Sequence, residues 1–516
     1  MERYGAVEQI KQRGIVTLWI GEHVVKLGSC LEDYRQSVEP GTSIRSPVTF
    51  PSGNPVLPWS PRRTASMMSL TKIPGLVLAL SLCVTATIFA HGSQEPHAAL
   101  SGAPTPHAAF SWRSFSGTTI HLMLDSHPWQ KFIQPRINEF EASTGMHVET
   151  QAYPEDQFRT KRTVEMVSGT SDIDVFMIMP AEALAQYVHS GWLAPLDPYL
   201  KMTADGSPDY DVRDFFSAAL DAGVSGGRNY TVPIQVETSL LAYNKDILSR
   251  YHVPVPRTMD ELFNAARTIY EESHGQIYGI TLRGEKVAAT SQWIDFVHSF
   301  GGSWLDSDGK SALASPAVIA ATELYGKLLR LYGPRDAATN SWYQSISSFM
   351  QGRSAMIYDA NVFKSYYENP KISKIADRVG YAIIPRGPAG SIPHVSTWSL
   401  AINAASPRKD AAWLFIQWAT SKQMDLRALN DGIPVARHSS WDSPAFIRNA
   451  GDRGWAEATL ASYLVASPHW EPPAVPVSQS REVVGAAIVE SILGGDVPDA
   501  LSRAAAQMNE LLKESR

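Results

Sequence analysis

The tetrapeptide Asp308-Gly309-Lys310-Ser311 has the composition of the end of a phosphate-binding loop, whose backbone N–H groups and lysine cradle nucleotide phosphates. The place of that loop's first glycine is taken by Trp304, so the segment reads as a surface turn. Glu155 and Asp156 are neighbouring carboxylates, the residue type of glycoside hydrolysis, but a catalytic pair must flank its bond from opposite sides. Adjacent in sequence, they more simply mark a helix N-terminus, where negative charge is favoured. Neither an H-E-x-x-H metal signature nor a G-x-S-x-G nucleophile turn is present. Both cysteines, Cys30 and Cys83, precede Ala90, so the chain beyond it offers no thiol nucleophile and no cysteine-ligated zinc. His91, His97 and His107 lie in a His/Ala/Pro/Ser-rich stretch, 91–116, with no compact ligand spacing, and read as part of a solvated linker. No catalytic residue, metal or cofactor is expected. What the sequence does supply is flat rings, 14 Trp and 19 Tyr, and these suit stacking rather than turnover.

The remaining bounds agree with that reading. A chain of 516 residues with 44% hydrophobic residues has enough apolar material for two or three cored domains, which excludes disorder, collagen and a disulfide scaffold. Its 45 basic and 51 acidic residues give a net charge of −6, without the basic footprint of a nucleic-acid partner.

The segment from Met67, MMSLTKIPGLVLALSLCVTATIFAHGSQ, has Lys72 behind Arg62 and Arg63, an uncharged apolar run over 73–84, and small residues before Ala90. This is the pattern of a secretory signal peptide over 67–90 cut after Ala90. A retained membrane anchor over 73–90 is the alternative, at the short end of what spans a bilayer. Lipid attachment is disfavoured because Cys83 follows Leu82 rather than a small residue. Residues 1–66 read as an over-called start or a disordered extension, with translation beginning at Met67 or Met68.

Order begins near Gly117. A β-rich run over 118–124 precedes a helix over 128–144 with Phe132, Ile133, Ile137 and Phe140 on one stripe, stopped by Gly145. A strand over 146–151, a helix over 156–168, a buried strand over 174–179 and a helix over 181–190 follow. Strands alternating with helices of this length call for a parallel sheet with right-handed crossovers, whose ligands sit at the strands' carboxyl ends. The loops there carry Asp125-Ser126-His127-Pro128-Trp129, Tyr153-Pro154-Glu155-Asp156-Gln157 and Met179-Pro180. Further on come an extended segment over 232–248, helices over 259–270 and 498–513, and a helix-rich block over 291–359.

VPIQVETSLLAYNKDIL from Val232, GRSAMIYD from Gly352 and WSLAINAASPRKDAAWLF from Trp398 resemble family 1 extracellular solute-binding proteins of ABC importers, the group that includes maltose-binding protein. The likeness spans 117–512, and HPWQ, YPEDQF, FMIMPA and PHVSTW look like its sugar and sugar-alcohol branch. It implies an α/β fold of the two-lobed type II periplasmic-binding-protein class, each lobe a mainly parallel sheet flanked by helices. Lobe 1 would be 117–234 and 396–433, lobe 2 244–385 and 436–516, with crossing hinges near 235–243, 386–395 and 434–435. It further implies a monomeric, extracytoplasmic protein that closes over a carbohydrate or polyol and hands it to the permease of an ABC importer. A secreted carbohydrate-active enzyme, or a binding protein for a phosphorylated polyol such as glycerol 3-phosphate, is the alternative.

A sugar needs directional partners for its hydroxyls and flat rings for its C–H face. Trp129 is a candidate because an indole in a first-strand loop has little reason to serve a core. By the resemblance Glu237 stands where maltose-binding protein carries a ligand-contacting carboxylate on its crossing segment, with Gln235 beside it. Asp359 ends an apolar strand and needs a partner. His394 and Trp398 bracket the second crossing. Arg437 is a possible planar clamp, Trp293 and Trp342 are stacking candidates, and Asp156 and Gln157 are either ligand contacts or helix caps. For a phosphate the sequence offers only Arg437 and Arg283, too few for a dianion.

Overall fold

The computed structural model describes residues 16–20, 23–27, 110–206, 210–449, 453–474 and 477–515. The expected signal peptide and most of the linker lie outside these. The chain divides into two compact units. Of the first, Met1–Leu100, the described part is an antiparallel hairpin pairing Val16–Ile20 with His23–Leu27. The second, Ser101–Arg516, contains the other described strands and the helices. Among the described residues no helix is long and apolar enough to cross a membrane.

The second unit opens with the expected βαβ series. Strand β1 (Thr119–Asp125) lies parallel to β2 (His147–Tyr153) on one side and to β3 (Val175–Ile178) on the other. The single helix expected over 128–144 is two helices, α1 (Pro128–Ile133) and α2 (Ile137–Thr144), separated by a 3-10 turn at Gln134–Arg136. Pro135 is the cause: it has no N–H for a helical bond and its ring crowds the preceding turn. The apolar stripe survives, with Phe132, Ile133, Ile137 and Phe140 all buried. Gly145 ends α2 at φ 72°, where a residue with a Cβ would be strained. Helices α3 (Glu155–Ser168) and α4 (Pro180–His189) follow β2 and β3.

Strand β4 (Thr231–Asn244) is twice the usual strand length, and all but one of its fourteen residues are buried. Its first part pairs antiparallel with β8 (Val395–Ile402), which in turn pairs with β3. Its last part, from Ser239, pairs antiparallel with β6 (Ser354–Ala360) and β7 (Val379–Ile383), and β6 lies parallel to β5 (Tyr278–Thr281). Two half-sheets therefore share one strand. The ladders within each βαβ series are parallel, and those made by the crossing strands are antiparallel. Register slips at Trp398/Ser399, opposite the stretch that begins at Pro233. Pro233 has no N–H for the ladder, and a bulge there turns the chain locally.

The second half carries α5 (Met259–Glu272), α6 (Lys286–Ser299), α7 (Pro316–Tyr332) and α8 (Trp342–Met350). After β8 the chain returns to the first half through α9 (Lys409–Ala419) and α10 (Lys422–Asn430). A crossing was expected at 434–435, and Pro434 does meet β4, its carbonyl accepting from the Val236 N–H at 2.8 Å. The chain nevertheless stays with the first half. Ala436 accepts from the Phe216 N–H, Arg437 bridges to Phe215, and α11 (His438–Trp441) packs on α10. The second half regains the chain only at α12 (Gly454–Tyr463), which packs on β7, followed by α13 (Val477–Leu493) and α14 (Val497–Glu514).

Helices α6 and α13 approach closely at Gly485, where an added Cβ would lie 2.4 Å from the Lys286 carbonyl oxygen and 2.5 Å from its carbon. Both atoms are backbone and have little room to move, so Gly485→Val is expected to overpack the contact by about 2–3 kcal/mol. The gain in helix propensity, about half a kcal/mol, does not offset this. A thermal melt should show a lower midpoint, and an unchanged midpoint would contradict the close approach.

Candidate functional site

A pocket lies where the two halves meet, at the carboxyl ends of β1, β2 and β3, as parallel α/β topology requires. From the first half come His127, just before α1, Glu155, Asp156 and Arg159 in the first turns of α3, and Met179 after β3. Strand β4 contributes Glu237 and β8 contributes Ser396 and Trp398, with His394 just ahead of β8. From the second half come Arg283 after β5, Ser291 on α6, Trp342 and Tyr343 at the start of α8, and Phe363. Trp470 and Arg481 complete the wall from the C-terminal segment.

The wall is polar, and each of its guanidiniums is met by a carboxylate. Arg283 is held by Asp359, with Nη2 donating to Oδ1 at 2.5 Å and Nε to Oδ2 at 3.3 Å. Arg159 pairs with Glu155 at 2.7 Å and with Glu182 at 3.1 Å. Arg481 donates from Nε to Glu471 at 2.8 Å. Glu237 lies 3.2 Å from His127 Nε2 and also accepts from the Gln235 amide, which in turn meets His127 Nδ1 at 3.1 Å. On the far side of β4, Asp295 accepts from the His394 backbone N–H at 2.6 Å and sits 3.0 Å from His394 Nδ1. Asp125, at the end of β1, is fully buried with neither carboxyl oxygen hydrogen-bonded. Burial first, and then the charge on Glu155, pushes its carboxyl well above the usual carboxylate range.

Aromatic rings line the same space. Trp342 stacks on Tyr343 at 3.5 Å and on Phe363 at 5.0 Å between ring centres, and His127 packs 5.4 Å from Trp398. Trp342 also ties the halves together. Its Nε1 donates to Glu155 Oε2 at 2.7 Å, while the Glu155 backbone N–H donates to the Tyr343 hydroxyl at 3.2 Å.

Of the expected site residues, Asp156, Glu237, Trp342, His394 and Trp398 share this wall. Gln235 and Asp359 sit behind it and hold its members. Trp129 is 1% exposed within α1 and belongs to the core cluster, and Gln157 points outward from α3; neither lines the pocket. Trp293 and Arg437 also lie away from the pocket. Trp293 is fully buried between α6 and α7, donating to Thr322 Oγ1 at 2.8 Å and packing on Trp304. Arg437 is also fully buried, donating to the carbonyls of Thr420 and Asp211 and lying 3.8 Å over the Phe215 ring. Of the two guanidiniums expected, Arg283 is on the wall and Arg437 is not, and Arg159 and Arg481 join Arg283 there. The sequence alone does not single out His127, Glu155 as a lining residue, Arg159, Tyr343, Phe363, Trp470 or Arg481. The first three lie in or just after loops already marked as strand ends. Trp470 and Arg481 carry no local signal, because only tertiary folding brings them to the pocket.

Residues 125–425 match the family model of bacterial extracellular solute-binding proteins. The chain belongs to this family. It is a solute-binding protein of an ABC importer and not an enzyme. It is 30% identical over 422 residues to the erythritol/L-threitol-binding protein of Mycolicibacterium smegmatis, covering 78% of this chain and 87% of that one. It is 29% identical to the mannitol-binding protein of Pseudomonas aeruginosa over 61% of this chain and 72% of that one. An ABC transporter solute-binding protein of Agrobacterium radiobacter, solved in complex with ribitol, superposes with a TM-score of 0.70 at 27% identity, over 77% of this chain and 99% of that one. The two-lobed fold of this class is thereby established for the binding protein.

Glu155 supplies a pH test of the contact between the halves. Burial pushes its carboxyl up, but Arg159, Arg283, His127 and the Trp342 indole together hold it down at about 2. Its folded pKa is thus depressed below the ordinary value of 4.5, so its stabilising contribution is present above about pH 4.5 and is lost as pH falls toward 2. Glu155→Gln is expected to lower the melting midpoint at pH 7, by about 1–3 kcal/mol of stability, and to narrow the gap between the midpoints at pH 7 and pH 3. An unchanged gap would show that the carboxylate does not carry the contact.

Proposed function

We propose that this solute-binding protein captures a neutral sugar alcohol of about four to six carbons, closes over it, and delivers it to a membrane permease. The observation that carries this reading is the charge pairing on the pocket wall. Each of Arg159, Arg283 and Arg481 is met by a carboxylate, so no guanidinium awaits an anionic ligand. Paired ions still offer donors and acceptors in fixed directions, which is what hydroxyls require, and Trp342, Phe363 and Trp398 offer faces for C–H groups. The erythritol, mannitol and ribitol named for the relatives are small molecules of this class.

Three arginines on the wall are the one observation that favours a phosphorylated polyol instead. A phosphate would have to displace a carboxylate from each guanidinium it used and would meet Glu155, Asp156 and Glu237 on the same wall. That repulsion weighs against a dianion. In this reading the chain is exported by the signal ending at Ala90 and works outside the cytoplasm, as the apolar run behind Lys72 and the family's extracellular members support.

The test is a thermal-shift and calorimetric panel of erythritol, ribitol, D-mannitol, maltose and glycerol 3-phosphate. A ligand at a hundred times its Kd stabilises the folded state by about 2.7 kcal/mol, a shift of several degrees. An alditol is expected to give that shift and to be recovered unchanged. A shift with glycerol 3-phosphate alone would replace this reading with the phosphorylated one.

A further inference from the structure

Trp470, Glu471 and Arg481 form a group of their own at the pocket. Arg481 lies 4.7 Å over one face of the Trp470 indole, and His394 packs on the same indole at 5.2 Å between ring centres. The group is held in place independently of any ligand. The Trp470 carbonyl accepts from Trp304 Nε1 at 3.2 Å, and Ser467 pairs with the chain around His394, donating to the Pro393 carbonyl and accepting from the Val395 N–H. Trp470 and Arg481 are each 3% exposed. Even so, one polar atom on each of the three side chains has no partner: Trp470 Nε1, Glu471 Oε1 and Arg481 Nη2. Three neighbouring side chains with buried, unsatisfied polar atoms, Trp470 and Arg481 on the pocket wall and Glu471 beside them, require an explanation, since each such atom costs free energy unless something pairs with it.

We propose that Trp470, Glu471 and Arg481 are a second hydroxyl-recognition subsite, which takes the distal hydroxyls of an alditol chain and sets the ligand length this protein prefers. The inference rests on the polyol reading above. Two N–H donors beside one carboxyl oxygen match hydroxyls, which accept and donate at the same atom. An anion is disfavoured, because Glu471 already occupies Arg481 and the charge of Glu182 also acts on this site. Burial pushes the Glu471 carboxyl up to about 7, while the charge and hydrogen bond of Arg481 oppose that rise. The pocket thus holds two aromatic–polar groups. His127, paired with Glu237, lies against Trp398, Trp342 and Phe363, and Trp470, under Arg481, lies against His394. A chain long enough to reach both gains contacts that a shorter one forgoes.

The experiment is calorimetric titration of the full-length protein, wild type, Arg481→Met and Trp470→Phe, with D-mannitol and erythritol. Trp470→Phe keeps a ring for the stack and removes only the indole N–H, so it stays informative where the arginine variant fails to fold. Arg481→Met is expected to lower D-mannitol affinity about tenfold or more and Trp470→Phe several-fold, while erythritol affinity falls less than about threefold. The preference for mannitol over erythritol then shrinks in both variants. An unchanged preference, whether both affinities fall together or neither falls, would overturn the subsite. Wild-type protein that bound neither alditol would instead overturn the polyol reading on which it rests.

Discussion

Strand β4 is the constraint on which the rest of the structure depends. Its fourteen residues run through both half-sheets, pairing first with β8 and then with β6 and β7, so its side chains at the change of partner lie between the halves. Gln235 and Glu237 occupy that stretch. A strand interior is an expensive place for a carboxylate unless it is paired, and His127 from the first half and the neighbouring amide provide the pairing. Because β4 cannot slip register without turning its buried residues outward, the position of Glu237 is set by the whole sheet rather than by a loop. Glu237 therefore lies close to where β4 passes from one half-sheet to the other.

The pocket's second principle is compensation. Burying a guanidinium costs heavily unless a carboxylate lies beside it, and the binding protein places one beside each guanidinium on the wall. The outcome is a surface rich in directional donors and acceptors but poor in unbalanced charge, which suits a hydroxylated neutral ligand. Glu155 belongs to both arrangements. It pairs with Arg159 within its own helix and accepts from Trp342 across the pocket, so the residue that offsets a cation on one half also holds the other half.

The legibility of the molecule in its sequence tracks the range of the forces involved. The βαβ series can be read because it rests on local periodicity and turn residues, and the motifs around Val232, Gly352 and Trp398 point to the family. The break at Pro135 is legible in principle, since a proline inside a helical stripe signals it. The late return of the chain to the second half is not, because the bridge from Arg437 to Phe215 joins residues more than two hundred positions apart. Arg437 and Trp293 show the same limit. Their residue types suit sugar recognition, but burial among Thr420, Asp211 and Phe215, or between two helices, is decided by packing no local pattern reveals. Trp470 and Arg481 are the converse, ordinary in sequence and placed on the wall by tertiary folding alone.

The central claim, that the two halves close on a neutral polyol, is tested most directly by small-angle X-ray scattering of the purified protein with and without saturating D-mannitol, with glycerol 3-phosphate as the charged comparison. The account predicts a smaller radius of gyration with mannitol and none of that change with the phosphate. An unchanged radius with mannitol, or contraction with glycerol 3-phosphate alone, would contradict it.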